Sequence, residues 1–224
     1  MGPEARQDPL LSPERLDMTA TADPAAAAEA DLEARFVEMA RANLVNRAIL
    51  DRLPGLGLPD CWLVSGCLFQ TVWNLLTGRP PTAGIADYDL FYFDGRDLSW
   101  TAEDRVIARC GQAFADLGVT VQVRNQARVH LWYEAKFGFP YAPLRSSTEA
   151  IDRFLSPVCS VGLRPVAGGG FELYAPFGLS DIFAMIIRPN PKFRLSPAAF
   201  EAKAARWRKE WPEARLAAGT SPAG

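Results

Sequence analysis

Two aspartates separated by one residue, Asp87 and Asp89, open the run Asp87-Tyr88-Asp89-Leu90-Phe91-Tyr92-Phe93-Asp94. The aromatic and aliphatic residues behind them, closed by Asp94-Gly95, predict a buried strand ending in a turn. Alternate side chains of a strand share a face, so the two carboxylates point the same way. Side by side at the margin of a core, they repel each other and lose hydration. A hard divalent cation relieves both costs, and Mg²⁺ is commonly held by one or two carboxylates together with substrate phosphates. The pair therefore predicts a site for Mg²⁺, or for Mn²⁺ in its place. Spacing alone would not suffice, because Glu29, Asp31 and Glu33 repeat it in a polar, Ala-rich stretch without strand character.

Ser65-Gly66 supplies a complementary feature. Glycine at a strand-to-helix junction lets the backbone approach a ligand closely. The unpaired N–H groups of a helix start attract anions. A plain helix cap is the alternative reading of this dipeptide. Beside a carboxylate pair, the combination is what metal-nucleotide chemistry requires: amides for phosphate, acids for the metal.

These residues need a scaffold, and the hydrophobic pattern outlines one. A helical stripe over residues 31–53 ends at Pro54-Gly55, and a short strand is expected over 60–64. Leu68, Val72, Leu75 and Leu76, with Phe69 and Trp73 alongside, predict a largely buried helix after Gly66. A third helix over 102–117 ends at Gly118. The alternation Val119 to Val123 then reads as a strand, and 125–137 as a helix carrying His130 and Glu134 on one face. A short helix near 148–155, a hairpin from 158–163 and 171–174, an apolar helix over 179–187 and a last helix opened by Ser196-Pro197 complete the chain. Residues 1–30 read as a disordered arm, 31–213 as a single domain and 214–224 as a disordered tail. The fold class expected is α/β (α+β), a small mixed sheet flanked by helices, with a C-terminal hairpin and helices.

The composition, 49% hydrophobic and 22% charged, is that of a globular chain. No apolar run reaches spanning length, and neither a secretory nor a myristoylation pattern is present, so no membrane partner and a cytoplasmic location are expected. Four cysteines without paired spacing and a lone histidine argue against zinc. The net charge of −2 argues against broad nucleic-acid binding, but it is unevenly spread. From Arg188 to the end there are eight Lys+Arg against three Glu. That segment reads first as a solvated helix face, and alternatively as a positive wall beside an anionic substrate. Trp62, Trp73, Trp132, Trp207 and Trp211 read as core. No phosphate-binding G-x-x-x-x-G-K-[ST], complete G-x-G-x-x-G or G-x-S-x-G is found.

The segments VSGCLFQTVWNLLTG, DYDLFYFD and VQVRNQARVHLWYEAKFG, followed in order by YAPLRSSTEAID, APFGLSD, RPNPKF and KAARWRKEWP, resemble a bacterial family of nucleotidyltransferase-like proteins of the DNA-polymerase-β superfamily. The resemblance covers roughly residues 36–213. It implies that Ser65 and Gly66 contact the phosphates of an NTP, that Asp87 and Asp89 bind catalytic Mg²⁺, and that an acceptor (small molecule, protein or RNA) receives a nucleoside monophosphate. Arg124 or Arg128 would neutralise the triphosphate, since guanidinium matches phosphate oxygens. A third carboxylate, expected on the neighbouring strand as a base, is replaced by Gln122, which cannot accept the proton. Glu134 or Asp94 as an atypical base, catalysis by two aspartates, and a nucleotide-binding module that has lost turnover all remain open on that basis.

Overall fold

The computed structural model describes residues 24–193 and 196–218, with side chains from residue 28 onward. The expected N-terminal arm lies outside the described residues as far as position 23; from Pro24 the chain is already helical. Helix α1 (Pro24–Ala42) and helix α2 (Leu44–Leu56) replace the single helix expected over 31–53. The break is Asn43, whose side chain accepts from the amides of Val45 and Asn46 and starts the second helix. Pro54 sits inside α2, and the stop comes at Gly57 in the left-handed region.

Five strands form one mixed sheet: β1 (Trp62–Val64), β2 (Tyr88–Tyr92), β3 (Val121–Asn125), β4 (Gly162–Pro165) and β5 (Phe171–Tyr174), in the order β3-β2-β1-β4-β5. Within this sheet only β2 and β3 run parallel, joined through helix α4 (Trp100–Ala113), as a parallel pair requires. The α/β class and the small mixed sheet flanked by helices are therefore as expected.

One sheet face carries Leu63, Tyr88, Leu90, Tyr92, Val123 and Leu163 into the main core, which also takes Phe36, Ile49 and Leu50 from α1 and α2. Helix α3 (Gly66–Leu76) is the most enclosed, buried continuously from Cys67 to Asn74. The opposite face is only partly covered. Helix α6 (Ser147–Asp152) sets Ile151 against Trp62 and Val64, and the remainder, including Asp89, stays half-open.

The segment after β3 is a 3₁₀ run, Gln126–Leu131, followed by the short helix α5 (Tyr133–Phe137), where one longer helix was expected. The apolar stretch 179–187 likewise divides into α7 (Ser180–Phe183) and β6 (Ile186–Ile187). Helix α8 (Pro197–Glu210) begins as expected, with the Ser196 hydroxyl accepting from the Ala199 amide. The tail differs from expectation. Ala214 is buried, and β7 (Arg215–Leu216) pairs in parallel with β6, so order extends past residue 213. The final six positions of the expected tail, 219–224, lie outside the described residues. Among the described residues no helix is long and apolar enough to cross a membrane.

Candidate active site

The carboxylates are placed by sheet register. Asp89 stands opposite Val64 of β1 and Gln122 of β3, and Asp87 precedes β2 by one residue with the same parity. Tyr88, Leu90 and Tyr92 are buried in the helix-covered core, so Asp87, Asp89 and Phe91 emerge together on the half-open face. Gln122 donates its amide to Asp87 Oδ2 at 2.7 Å and fixes that carboxylate. Burial, reinforced by the charge of Asp87, pushes the Asp89 carboxyl up to about 6, against the opposing pull of Lys203 and Arg124. Burial and a neighbouring carboxylate that together raise the proton affinity of Asp89 mark a site short of positive charge.

The start of α3 lies against this pair. Ser65 holds an unusual backbone, φ 60° and ψ −119°, a region that favours glycine. It is fixed there by its amide bonding the Val161 carbonyl at 2.8 Å, while its own carbonyl accepts from Leu68 and Phe69. Its side chain does not cap the helix. The Gly66 and Cys67 amides come before the first intrahelical donor, Leu68, and keep the character of an anion site. Burial, then the Asp89 charge, push the Cys67 thiol well above its ordinary range, which puts the first turn of α3 within the field of the carboxylates. A side chain at Gly66 would meet the Gln70 amide nitrogen at 3.3 Å.

Of the expected site residues, the fold brings together Ser65, Gly66, Asp87, Asp89 and Arg124. Arg124 projects from the same face of β3 as Gln122, is exposed, and acts on Asp89. Arg128 is placed elsewhere. It is buried, ion-paired to Glu103 of α4 and bonded through Nε to the Leu98 carbonyl at 2.9 Å. Glu103 also accepts the Asn125 amide at 2.8 Å, so this pair ties β3 to α4 and leaves no free guanidinium for phosphate. Asp94 is ion-paired with Arg96 and Glu134 is exposed on α5; neither stands where Gln122 does. Arg188, ion-paired to Asp181, and Asn190, which bonds the Asp152 and Phe154 carbonyls, secure loops.

Sequence reasoning gave too little weight to α8. Its Lys203 lies near Asp89, and its Arg206 and Lys209 share a cavity of about 290 Å³ with Asp87 and Gln70. The uneven charge of the C-terminal segment was the available signal, and the positive wall is the reading the geometry favours. Trp132, expected in the core, lines a second cavity of about 510 Å³ together with Phe91, Arg124 and Lys203.

The donor set suits a hard cation: two adjacent carboxylates on a rigid strand, one of them steadied by Gln122. Among the described residues no group of three or more His, Cys, Asp or Glu side chains forms a metal cluster. The chain would thus supply two carboxylates and leave the other positions to phosphate and water oxygens, as Mg²⁺ sites commonly do.

A half-covered mixed sheet with a helix start facing a D-x-D pair defines a nucleotidyltransferase-type fold. A family model described as nucleotidyltransferase matches residues 51–216, and the chain belongs to that family. Among solved structures it is similar to a CCA-adding enzyme head domain determined by NMR, at 27% identity and a TM-score of 0.67, over 81% of this chain and 94% of that one. A tRNA nucleotidyltransferase complexed with a primer tRNA and an incoming ATP analogue matches at 14% identity and a TM-score of 0.41, over 77% of this chain and 47% of that one. No curated protein matches the sequence.

Proposed function

We propose that the protein is a Mg²⁺- or Mn²⁺-dependent enzyme that moves a nucleoside monophosphate from an NTP to an acceptor hydroxyl. The observation carrying this is the emergence of Asp87 and Asp89 on one open face beside the α3 start, with Arg124 and Lys203 around Asp89. Asp87 and Asp89 hold the metal, which when bound neutralises the polyphosphate and polarises the reacting phosphate. The Gly66 and Cys67 amides hold non-bridging oxygens, and Ser65 fixes their direction through its constrained backbone. Arg124 and Lys203 balance charge gathering on the phosphate oxygens in the transition state. The acceptor oxygen attacks the α-phosphorus in line, the α–β bond breaks, and pyrophosphate leaves. The reading treats the folded residues as one domain, and four free cysteines suit a reducing, cytoplasmic setting. The related head domain belongs to an enzyme that adds CCA, which makes an RNA end one acceptor to test.

The test is transfer of label from α-labelled NTPs, with Mg²⁺ or Mn²⁺, to a panel of acceptors. The wild-type chain should label an acceptor and release pyrophosphate. Asp89→Ala should lose the transfer; full activity in that variant would end this reading.

One observation favours a second reading. Gln122 occupies the register position of the third carboxylate and spends its amide on Asp87, which suits a nucleotide-binding module without turnover. Calorimetric NTP binding with no pyrophosphate release under any acceptor would select it.

A further inference from the structure

Two cavities flank the carboxylate pair, and they differ in chemistry. The smaller, about 290 Å³, is lined by Asp87, Gln70, Arg206, Trp207 and Lys209. Gln70 also marks the Gly66 end of α3. Trp207, almost fully buried in that wall, keeps an indole N–H with no acceptor among the described residues. Two exposed cations, which outnumber the one carboxylate of α8 in the wall (Glu210), and an orphaned donor, next to the α3 start that Gln70 adjoins, make this the side for a polyphosphate.

The larger cavity, about 510 Å³, includes in its lining the rings of Phe91, Trp132, Tyr133, Phe137, Tyr141 and Phe154, and Phe91 emerges on the same face of β2 as Asp89. Its volume falls in the range of small-molecule sites. Arg124 and Lys203, the two cations that act on Asp89, also line it and so connect it to the carboxylates. Arg153, the other cation in its wall, is already paired with Glu149 at 2.6 Å and stacked over Tyr141, so the interior asks for a neutral occupant. Phe137 and Phe139 keep 47% and 46% of their surface exposed at this site, where apolar surface left in water marks a contact awaiting a ligand.

In-line transfer requires the attacking oxygen to approach opposite the leaving pyrophosphate. With the polyphosphate on the Asp87 and α3 side, the attacking group enters from the Asp89 side, where the aromatic cavity opens. We infer that this cavity is the acceptor site, and that the acceptor is a small neutral molecule built on a planar aromatic ring and carrying a hydroxyl. The ring stacks among the aromatic side chains and presents its oxygen past Phe91 to the α-phosphorus. A new P–O bond forms to that oxygen, the α–β P–O bond breaks with its electrons going to pyrophosphate, and the hydroxyl proton passes to water. This assignment rests on the transferase reading above and narrows its acceptor.

The experiment compares the wild-type chain with Ala199→Trp, which introduces a ring into the cavity from an exposed position on α8. Three readouts are taken: NTP binding by calorimetry with Mn²⁺, binding of 2-naphthol by saturation-transfer NMR, and label transfer from α-labelled NTPs. The transfer panel contains substituted phenols and benzyl alcohols, a tyrosine-containing peptide and an RNA oligonucleotide with a free 3′ end. Wild type should bind 2-naphthol and label a member of the small aromatic set. Ala199→Trp should keep NTP affinity within about twofold while losing naphthol binding and at least about tenfold of that transfer. Labelling of the RNA or the peptide without the small aromatics overturns the inference, as does the absence of naphthol binding. A tenfold loss of NTP affinity in Ala199→Trp also overturns it, because the cavity would then hold the nucleobase. Failure of wild type to bind any NTP defeats the transferase reading itself and takes the acceptor role with it. That result differs from intact NTP binding with unlabelled phenols, which defeats the inference alone.

Discussion

At the scale of single residues, Asp89 governs how the site responds to acid. Its carboxyl is raised from 3.8 to about 6, by burial first and by Asp87 second. Between those values the folded chain keeps a proton that the unfolded chain has released. The contribution of this carboxyl to metal-free stability is therefore fully present below about pH 4 and is lost as pH rises through 6, roughly 3 kcal/mol in all. Asp89→Asn removes this loss, so denaturant unfolding at pH 7.5 without metal should show a more stable variant, while the two proteins converge near pH 4. A variant no more stable at pH 7.5 would contradict the buried, uncompensated carboxylate. Metal binding competes with the same proton, and Mn²⁺ affinity of the wild type should climb from pH 5 to 7. Gln122 makes a second test. Gln122→Glu replaces a 2.7 Å donor to Asp87 with a third negative charge. Stability should drop by about 1–3 kcal/mol without metal and recover on adding Mg²⁺, as seen in thermal melts at both conditions.

At the scale of elements, what could be read from the sequence depended on whether local signals agreed. The D-x-D strand, the Ser65-Gly66 helix entry and the Ser196-Pro197 helix start all combine a boundary residue with an apolar pattern, and each forms where expected. The division of α1 from α2 was hidden because Asn43, which caps α2 locally, is also held by distant partners. Its amide bonds Thr71 at 3.0 Å and Tyr88 at 3.3 Å, contacts that only tertiary structure creates. The stretch 179–187 is apolar enough for a helix, yet β6 exists because β7 arrives to pair with it. Arg128 misled for a related reason: its partner Glu103 lies 25 positions earlier, on another element. Ser65 gives the element-scale prediction. A non-glycine residue with φ 60° and ψ −119° costs of order 1–3 kcal/mol. Ser65→Gly should recover about 1 kcal/mol in denaturant unfolding. It should also loosen the α3 amides, seen as weaker NTP binding in a protein that is more stable. A destabilised Ser65→Gly would mean the backbone there is unstrained.

At the scale of the whole molecule, helix α8 brings the C-terminal segment onto the site built by residues 65–124. It is anchored by Trp207 against Phe69 and Trp73, with ring centroids 5.3 and 6.3 Å away, and by Trp211 donating to Asn74 at 2.9 Å. The anchoring rings are buried and also form part of the wall of the smaller cavity, while Lys203, Arg206 and Lys209 fall three apart beside them. Packing is carried by buried rings and charge by the exposed side chains of Arg206 and Lys209, so that charge can be changed without removing the anchor. Arg206 and Lys209 are exposed and their substitution buries nothing. Arg206→Glu with Lys209→Glu should leave the melting temperature within a few degrees. NTP binding should weaken by roughly tenfold or more, about 1.4 kcal/mol, and the salt dependence of binding should flatten because two cations near the polyphosphate are gone. The contrasting variant is Trp211→Ala, which removes a buried ring and leaves Asn74 Oδ1 without its donor. It should cost about 3–5 kcal/mol of stability and weaken NTP binding through loss of the fold. If the double charge reversal instead unfolded the chain, or left NTP affinity and its salt dependence unchanged, α8 would be a structural strut with an incidental charge. The phosphate side of the site would then have to be sought among the α3 amides alone.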